Sequence, residues 1–369
     1  MMRVSRPLIA SLVAVTLIGV GLIVGIYAAD NETNVGQDAL LIKHGWDIPT
    51  ATFVAQNSSD MDDMPFNGVV LKMDDDLGSK VQSQSPVGYE QFQASLSALS
   101  GVELNNLEHN FLIVYSTPAG DIFDDWTVPL DNYANMAQAA RDAGLQGIFF
   151  DNEEYFGDAL SFPQNCSGDK SVAECRDQAY VRGSQVMDAI VSSWPEVELI
   201  VAHGPYLSEE ATTDYFKGHG IKWNNLAGAN EIRGSFTMGL ASATRGTAAQ
   251  FIDGGQVYAA RANRQFRAVK YWQKEGMSTH GDLMPDDLRP DWPEIVSSSF
   301  GVYDKADLYS GAPMDAEIWG TTLATALTNT DHYVWAYTER YDWWNTGHPG
   351  TPVPEEWVDA TREAIDSSQ

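Results

Sequence analysis

The sequence predicts an α/β fold, a single (β/α)8 TIM barrel, behind an apolar N-terminal segment. Three observations predict it. Eight short β-branched or apolar runs recur along the 369 residues, each ending in polar residues. Helix-prone sequence follows them, and repeated strand–helix alternation is the pattern of a closed parallel barrel. No G-x-G-x-x-G or P-loop pattern follows any run, which disfavours an open doubly wound sheet.

In order, the runs are Leu40–Trp46, Gly68–Met73, Phe111–Ser116, Gly147–Asp151, Glu198–His203, Ala249–Asp253, Ser298–Tyr303 and His332–Tyr337. Several begin as nearly continuous apolar stretches, as strands covered on both faces do. Gly234–Leu240 competes with Ala249–Asp253 for the sixth place. Asn132–Gly144, Asp177–Trp194, Ala262–Gly276 and Met314–Leu327 have the length and patterning of helices, and the first closes on a Gly stop signal. Asn57–Asp63 is acidic but too short for a linker, so it reads as a surface loop. No Pro/Gly/Ser linker interrupts the chain after residue 30, so residues 30–369 read as one catalytic-type domain.

A content of 44% apolar residues excludes a disordered chain, a coiled coil or a collagen. With 51 acidic against 22 basic side chains the net charge is −29. No basic footprint exists to displace phosphate counterions, so a nucleic-acid partner is excluded. The acids run along the whole chain, as on a solvated surface suited to a salty or acidic habitat.

Arg3 and Arg6 precede an uncharged run from Pro7 to Ala29, followed by Asp30 and Glu32. A basic flank before an apolar core is an export signal, so residues 1–29 are excluded from the fold. The run could also span a bilayer, and neither Ala28 nor Ala29 ends a good A-x-A site. A cleaved signal peptide and an N-terminal membrane anchor held Arg-side-in therefore stay open together. Either way the domain is expected to be secreted, periplasmic or anchored to the outer face of the cytoplasmic membrane. Cys166 and Cys175 fit that compartment as one disulfide pinning a loop. Their segment has no His and no C-x-x-C spacing, so no metal site is expected there.

In such barrels the site forms at the C-terminal ends of the strands. The fourth run continues Asp151-Asn152-Glu153-Glu154-Tyr155. Alternation puts Phe149, Asp151 and Glu153 on one face, with Asn152 and Glu154 on the other. Two carboxyls emerging together from an apolar strand repel, which raises one pKa towards that of a general acid. Glu153 is the expected acid, with Asp151 raising its pKa or orienting it. The eighth run puts Trp335, Tyr337 and Glu339 on one face, and Trp343 follows. Aromatic faces beside carboxylates suit stacking on the C–H faces of sugar rings. The other ends supply His44, Trp46 and Asp47, then Lys72, Tyr115, His203, Asp253 and Tyr303.

The barrel pattern, the F-x-D-x-E run of the fourth strand and the aromatic-plus-Glu eighth strand resemble (β/α)8 glycoside hydrolases. The fourth strand is similar to the end of the chitinase-like signature D-x-x-D-x-D-x-E, with Glu153 at its final acid. Phe149 and Gln146 stand where that signature has Asp, a departure that removes support for a chitinase and its substrate-assisted route. The resemblance implies a hydrolase of a polysaccharide or oligosaccharide that needs two carboxyl groups and no cofactor. Glu339 is the first choice for the partner of Glu153 and Asp253 the second. Trp46, Tyr337, Trp335 and His203 would position the sugar. The acidic balance tilts towards neutral or cationic glycans. Two rivals stay open: a metal-dependent barrel hydrolase recruiting His44 and His203, and a non-catalytic carbohydrate-binding barrel. No H-x-H, H-E-x-x-H or G-x-S-x-G pattern favours a metal or serine hydrolase.

Overall fold

The computed structural model describes residues 39–223, 231–311 and 313–368, so the segment expected to direct export, residues 1–29, lies outside the described residues. Nine parallel strands form a nearly closed barrel in the order β7-β6-β5-β4-β3-β2-β1-β9-β8. They are β1 (Leu40–Gly45), β2 (Gly68–Leu71), β3 (Phe111–Tyr115), β4 (Gly147–Asp151) and β5 (Glu198–Val201), then β6 (Gln250–Asp253), β7 (Val296–Ser298), β8 (Phe300–Tyr303) and β9 (Tyr333–Thr338).

The predicted seventh strand, Ser298–Tyr303, corresponds to β8, and a further strand, β7, precedes it across Ser299. The first of the two, β7, pairs with β6, Phe251 opposite Val296. The second, β8, pairs with β9, Phe300 opposite Val334. The chain therefore turns from one neighbour to the other and brings the two ends of the sheet together. At the seam the Ser299 N–H still donates to the Asp253 carbonyl at 2.9 Å. Between β1 and β9 the register runs from Leu40 opposite Tyr333 to Gly45 opposite Thr338. Gly45 has φ of 142°, and a Cβ there would stand 2.1 Å from the Thr338 carbonyl oxygen, so only glycine passes.

Helices cover the outside, including α1 (Thr127–Asp142), α2 (Val172–Ser193), α3 (Glu231–Ser242), α4 (Asn263–Tyr271) and α5 (Ala316–Asn329). The four predicted helices correspond to α1, α2, α4 and α5. Gly234–Leu240 lies within α3, which leaves Gln250–Asp253 as the sixth strand. The expected loop at Asn57–Asp63 is instead mostly the short helix Ser58–Asp62, following another at Ala51–Gln56. Thr50 caps the first through its Oγ1, which accepts the Phe53 N–H at 3.1 Å. Asp62 fixes the second by accepting the N–H groups of Asn105, Asn106 and Leu107. Asp62 thus serves a local anchoring that periodicity does not reveal.

Within the barrel, His44, Phe149 and Trp335 pack ring against ring, with centroids 4.7 to 5.7 Å apart. Phe149 therefore fills the core at a position where the chitinase-like signature has a carboxylate.

Candidate active site

The C-terminal ends of the strands open onto a cleft of about 460 Å³. Eight of the residues expected from the sequence line it: His44, Trp46, Tyr115, Asp151, Glu153, Tyr303, Tyr337 and Glu339. His44, one of the packed rings of the barrel core, lines its floor, and its rim carries aromatic faces. Trp46 is 54% exposed and Phe156, with its edge towards Tyr115, is 51% exposed.

Alternation at the end of β4 sorts the polar residues as expected. Asn152 turns away from the cleft and locks β4 to β5. Its Nδ2 donates to the His203 carbonyl at 2.8 Å, and its Oδ1 accepts the His203 N–H at 3.1 Å. Glu154 also turns away, pairing with Arg233 at 2.9 Å and accepting the N–H groups of Ala159 and Leu160. These bonds shape the loop that follows β4. The disulfide between Cys166 and Cys175 then ties that loop to the first turn of α2, with the Cα atoms 6.0 Å apart.

Asp151 and Glu153 are left facing the cleft, and their environments push them apart. Asp151 is buried, and burial, followed by the Glu153 charge beside it, pushes its carboxyl up to about 8. It therefore holds a proton at neutral pH. Burial also acts to raise Glu153, but the His203 imidazole, the Tyr155 hydroxyl and the Gln256 amide outweigh it and hold that carboxyl below its usual range. His203 Nε2 lies 3.7 Å from Glu153 Oε1, and Gln256 Nε2 donates to Oε2 at 3.3 Å. The Tyr155 hydroxyl donates to the same Oε2. The pair thus holds one proton, and it resides on Asp151 rather than on Glu153 as the sequence had suggested.

Glu339 belongs to the opposite side of the mouth, since β9 is four places from β4 in the sheet order. It accepts from the Tyr303 hydroxyl and pairs with Lys305 at 3.0 Å. Its backbone N–H is held by buried Asp304, whose carboxyl burial pushes up to about 6. His44 on the floor is pushed down to about 3 by burial and then by neighbouring Lys43, so it presents a neutral imidazole.

Other expected site residues do not reach the cleft lining. Asp47 is buried behind it, 2.5 Å from Lys43 Nζ, and accepts the Trp343 N–H at 2.8 Å. Lys72 follows the last residue of β2 and lies 3.8 Å from Asp76. Trp335 is core, its Nε1 donating to the Gly254 carbonyl at 2.6 Å. Trp343 packs its edge on Phe66, centroids 5.1 Å apart. Asp253 lies beneath Gly204, where a Cβ would fall 1.7 Å from its Oδ2. It accepts from Gln273 Nε2 at 2.9 Å and the Gly255 N–H at 3.0 Å. Burial pushes its carboxyl up to about 7. His203 lines an adjoining lobe of about 290 Å³.

The structure adds Tyr155, Phe156, Gln256, Tyr258 and Tyr309 to the lining. Tyr155 and Phe156 directly follow the acidic run of β4, so the sequence held a signal for them. Gln256 and Tyr258 come from the loop after β6 and Tyr309 from the short helix Asp307–Ser310, none of them marked by a distinctive pattern. Among the described residues, no three His, Cys, Asp or Glu side chains converge as a metal-binding group.

No protein-family model matches the chain, and no curated protein sequence does. Solved structures similar to it include a family GH18 chitinase from Chromobacterium violaceum, at 12% identity over 90% of this chain and 84% of that one, with a TM-score of 0.43. A GH5-4 broad-specificity endoglucanase from an uncultured bacterium is 11% identical over 87% of this chain and 86% of that one, with a TM-score of 0.41. The 3-keto-D-glucoside 4-epimerase of E. coli is 10% identical over 89% and 98%, with a TM-score of 0.39. Likeness at this level decides nothing about activity, because unrelated chemistries share barrels.

Proposed function

We propose that this chain is an exported glycoside hydrolase acting on O-glycosyl bonds. The observation that carries the reading is the Asp151–Glu153 pair, one carboxyl pushed up and the other held down, in an aromatic cleft at the barrel mouth. Two carboxyls with separated pKa values are what acid–base cleavage of a glycosidic bond requires. The pair gives its proton to the leaving oxygen as the bond breaks. Glu339, approaching from the other side, is the partner carboxyl that stabilises the developing positive charge or activates the attacking group. Trp46 and Phe156 offer exposed rings to sugar faces, and the neutral His44 offers a hydrogen bond to a hydroxyl without adding charge.

The Cys166–Cys175 disulfide supports an oxidising compartment outside the cytoplasm. Residues 30–369 are taken as one catalytic domain, and residues 1–29 as the segment that exports or anchors it. No helix among the described residues is long and apolar enough to cross a membrane.

The test is a product screen against a polysaccharide panel, with Glu153→Gln and Glu339→Gln run beside the wild type. Both variants are expected to lose at least about a hundredfold in rate, the size of a general-acid contribution. Near-full activity in Glu153→Gln would remove Glu153 from the mechanism, and near-full activity in Asp151→Asn would remove the proton donor. Binding without turnover in the wild type, retained by Glu153→Gln, would instead establish a carbohydrate-binding barrel.

A further inference from the structure

We infer that the substrate is a glycan chain lying across Glu153, with sugar units on both sides, so that the bonds cut are internal ones. This rests on the glycoside hydrolase reading and adds the mode of attack. The cleft does not end at the carboxyl pair. A second lobe of about 290 Å³ continues beyond it, and Glu153, Gln256, Tyr258 and Tyr309 line both lobes. Tyr258 and Tyr309 form a ridge between the two, their rings 5.6 Å apart. Asp151 lines only the first lobe and His203 only the second, so Glu153 stands at the divide with the proton-bearing carboxyl on one side and an imidazole on the other.

Each lobe has the surface a sugar unit uses. On the first side the exposed faces are those of Trp46 and Phe156. On the second side Trp223 stands against Tyr206 and Phe216, with centroids 5.7 and 5.3 Å away, beside Leu308, which is 67% exposed. An enzyme that removes units from a chain end closes one side of its carboxyls with a wall. Here the corresponding place is a cavity near the lower size of a small-molecule site, roughly 300 Å³. Leaving apolar faces open on both sides of the reacting carboxyls serves no purpose for a substrate that fills one side only.

The experiment uses the whole chain and fluorophore-labelled oligosaccharides of graded length from cellulose, xylan, chitin and starch. Initial product ladders are expected to contain several internal fragments at once. Trp223→Ala and Leu308→Ala on one side, and Trp46→Ala and Phe156→Ala on the other, are each expected to lower kcat/KM on long oligomers by up to about tenfold, the scale of one aromatic contact. The loss is expected to grow with chain length, and thermal melts identify any variant whose loss comes from unfolding. Binding to Glu153→Gln, followed on the same oligomers, is expected to tighten with length and to weaken from either side. Fragments of a single length released from one end would overturn the inference while leaving the hydrolase reading standing. So would a length dependence that only the Trp46 and Phe156 variants alter. Two-sided binding with no cleavage by the wild type would remove the hydrolase and keep the occupancy of both lobes. No binding to any oligomer overturns both.

Discussion

Asp47 and Asp151 follow apolar strands on the same face of the barrel and are both buried, yet they stand in opposite surroundings. Asp47 faces the Lys43 ammonium at 2.5 Å and accepts from the Thr338 hydroxyl at 3.2 Å and the Trp343 N–H at 2.8 Å. Asp151 accepts the Glu153 N–H at 3.1 Å and lies beside the charge of Glu153. A buried carboxyl matched by a cation and donors holds structure together. One buried beside another negative charge keeps its proton and can give it away. Burial at a strand end is common to both, so the partner set separates a structural acid from a chemical one.

The largest effect is expected from breaking the Asp47 side of this comparison. Asp47→Ala leaves the Lys43 ammonium buried without its partner and is expected to cost about 3–5 kcal/mol, read from urea denaturation. Unchanged stability would mean that the Lys43–Asp47 contact does not hold this end of the barrel together. Asp151→Asn tests the other side, with an expected loss of at least about a hundredfold in kcat and an intact fold by circular dichroism.

Reduction of the Cys166–Cys175 bridge, or Cys166→Ser with Cys175→Ser, is expected to lower stability by about 2–3 kcal/mol, from loop entropy over a separation of 9 residues. A denaturation curve under reducing conditions checks it.

A further effect is expected from pH. Native Asp151 holds its proton to about pH 8, whereas the unfolded chain loses it near about pH 4. Between those values the folded state binds more protons, so this group makes stability fall as pH rises. Glu153 acts oppositely, stabilising the fold above the ordinary carboxylate range and losing that contribution as pH falls through its depressed pKa. Activity is expected to decline above about pH 8 as the pair gives up its proton. In Asp151→Asn the stability slope of the wild type should flatten between pH 5 and pH 8. Denaturation midpoints across that window measure it, and an unaltered slope would place the raised titration elsewhere.

The smallest effect is expected from Lys72→Ala. Its ion pair with Asp76 is solvent-exposed and spans 3.8 Å, so stability should change by less than about 1 kcal/mol. A marked rise in KM would bring Lys72 back to the substrate.

The strand-end residues of β1, β4 and β9 were legible because a parallel barrel has one functional end and strand alternation fixes which side chains turn inwards. That logic reached His44, Asp151, Glu153, Tyr337 and Glu339. It also selected Trp335 and Asp253 on the same grounds, although a core ring and the Gly204 backbone occupy the space between them and the cleft. Tyr258 and Tyr309 carry no such signal, since a loop and a four-residue helix are too short or irregular for periodicity to mark an inward residue.

By itself, then, the sequence determined the barrel, the helices that cover it, the cysteine pair and the end at which the polar residues gather. These follow from local periodicity and from short-range chemistry along the chain. Only the tertiary structure decided that the proton rests on Asp151, that Thr338 and Trp343 donate to Asp47, and that a second lobe continues past Glu153. Each depends on groups distant in sequence, such as His203 and Gln256 against Glu153 or Thr338 against Asp47, whose distances and shared desolvation exist only after the strands have closed into a ring.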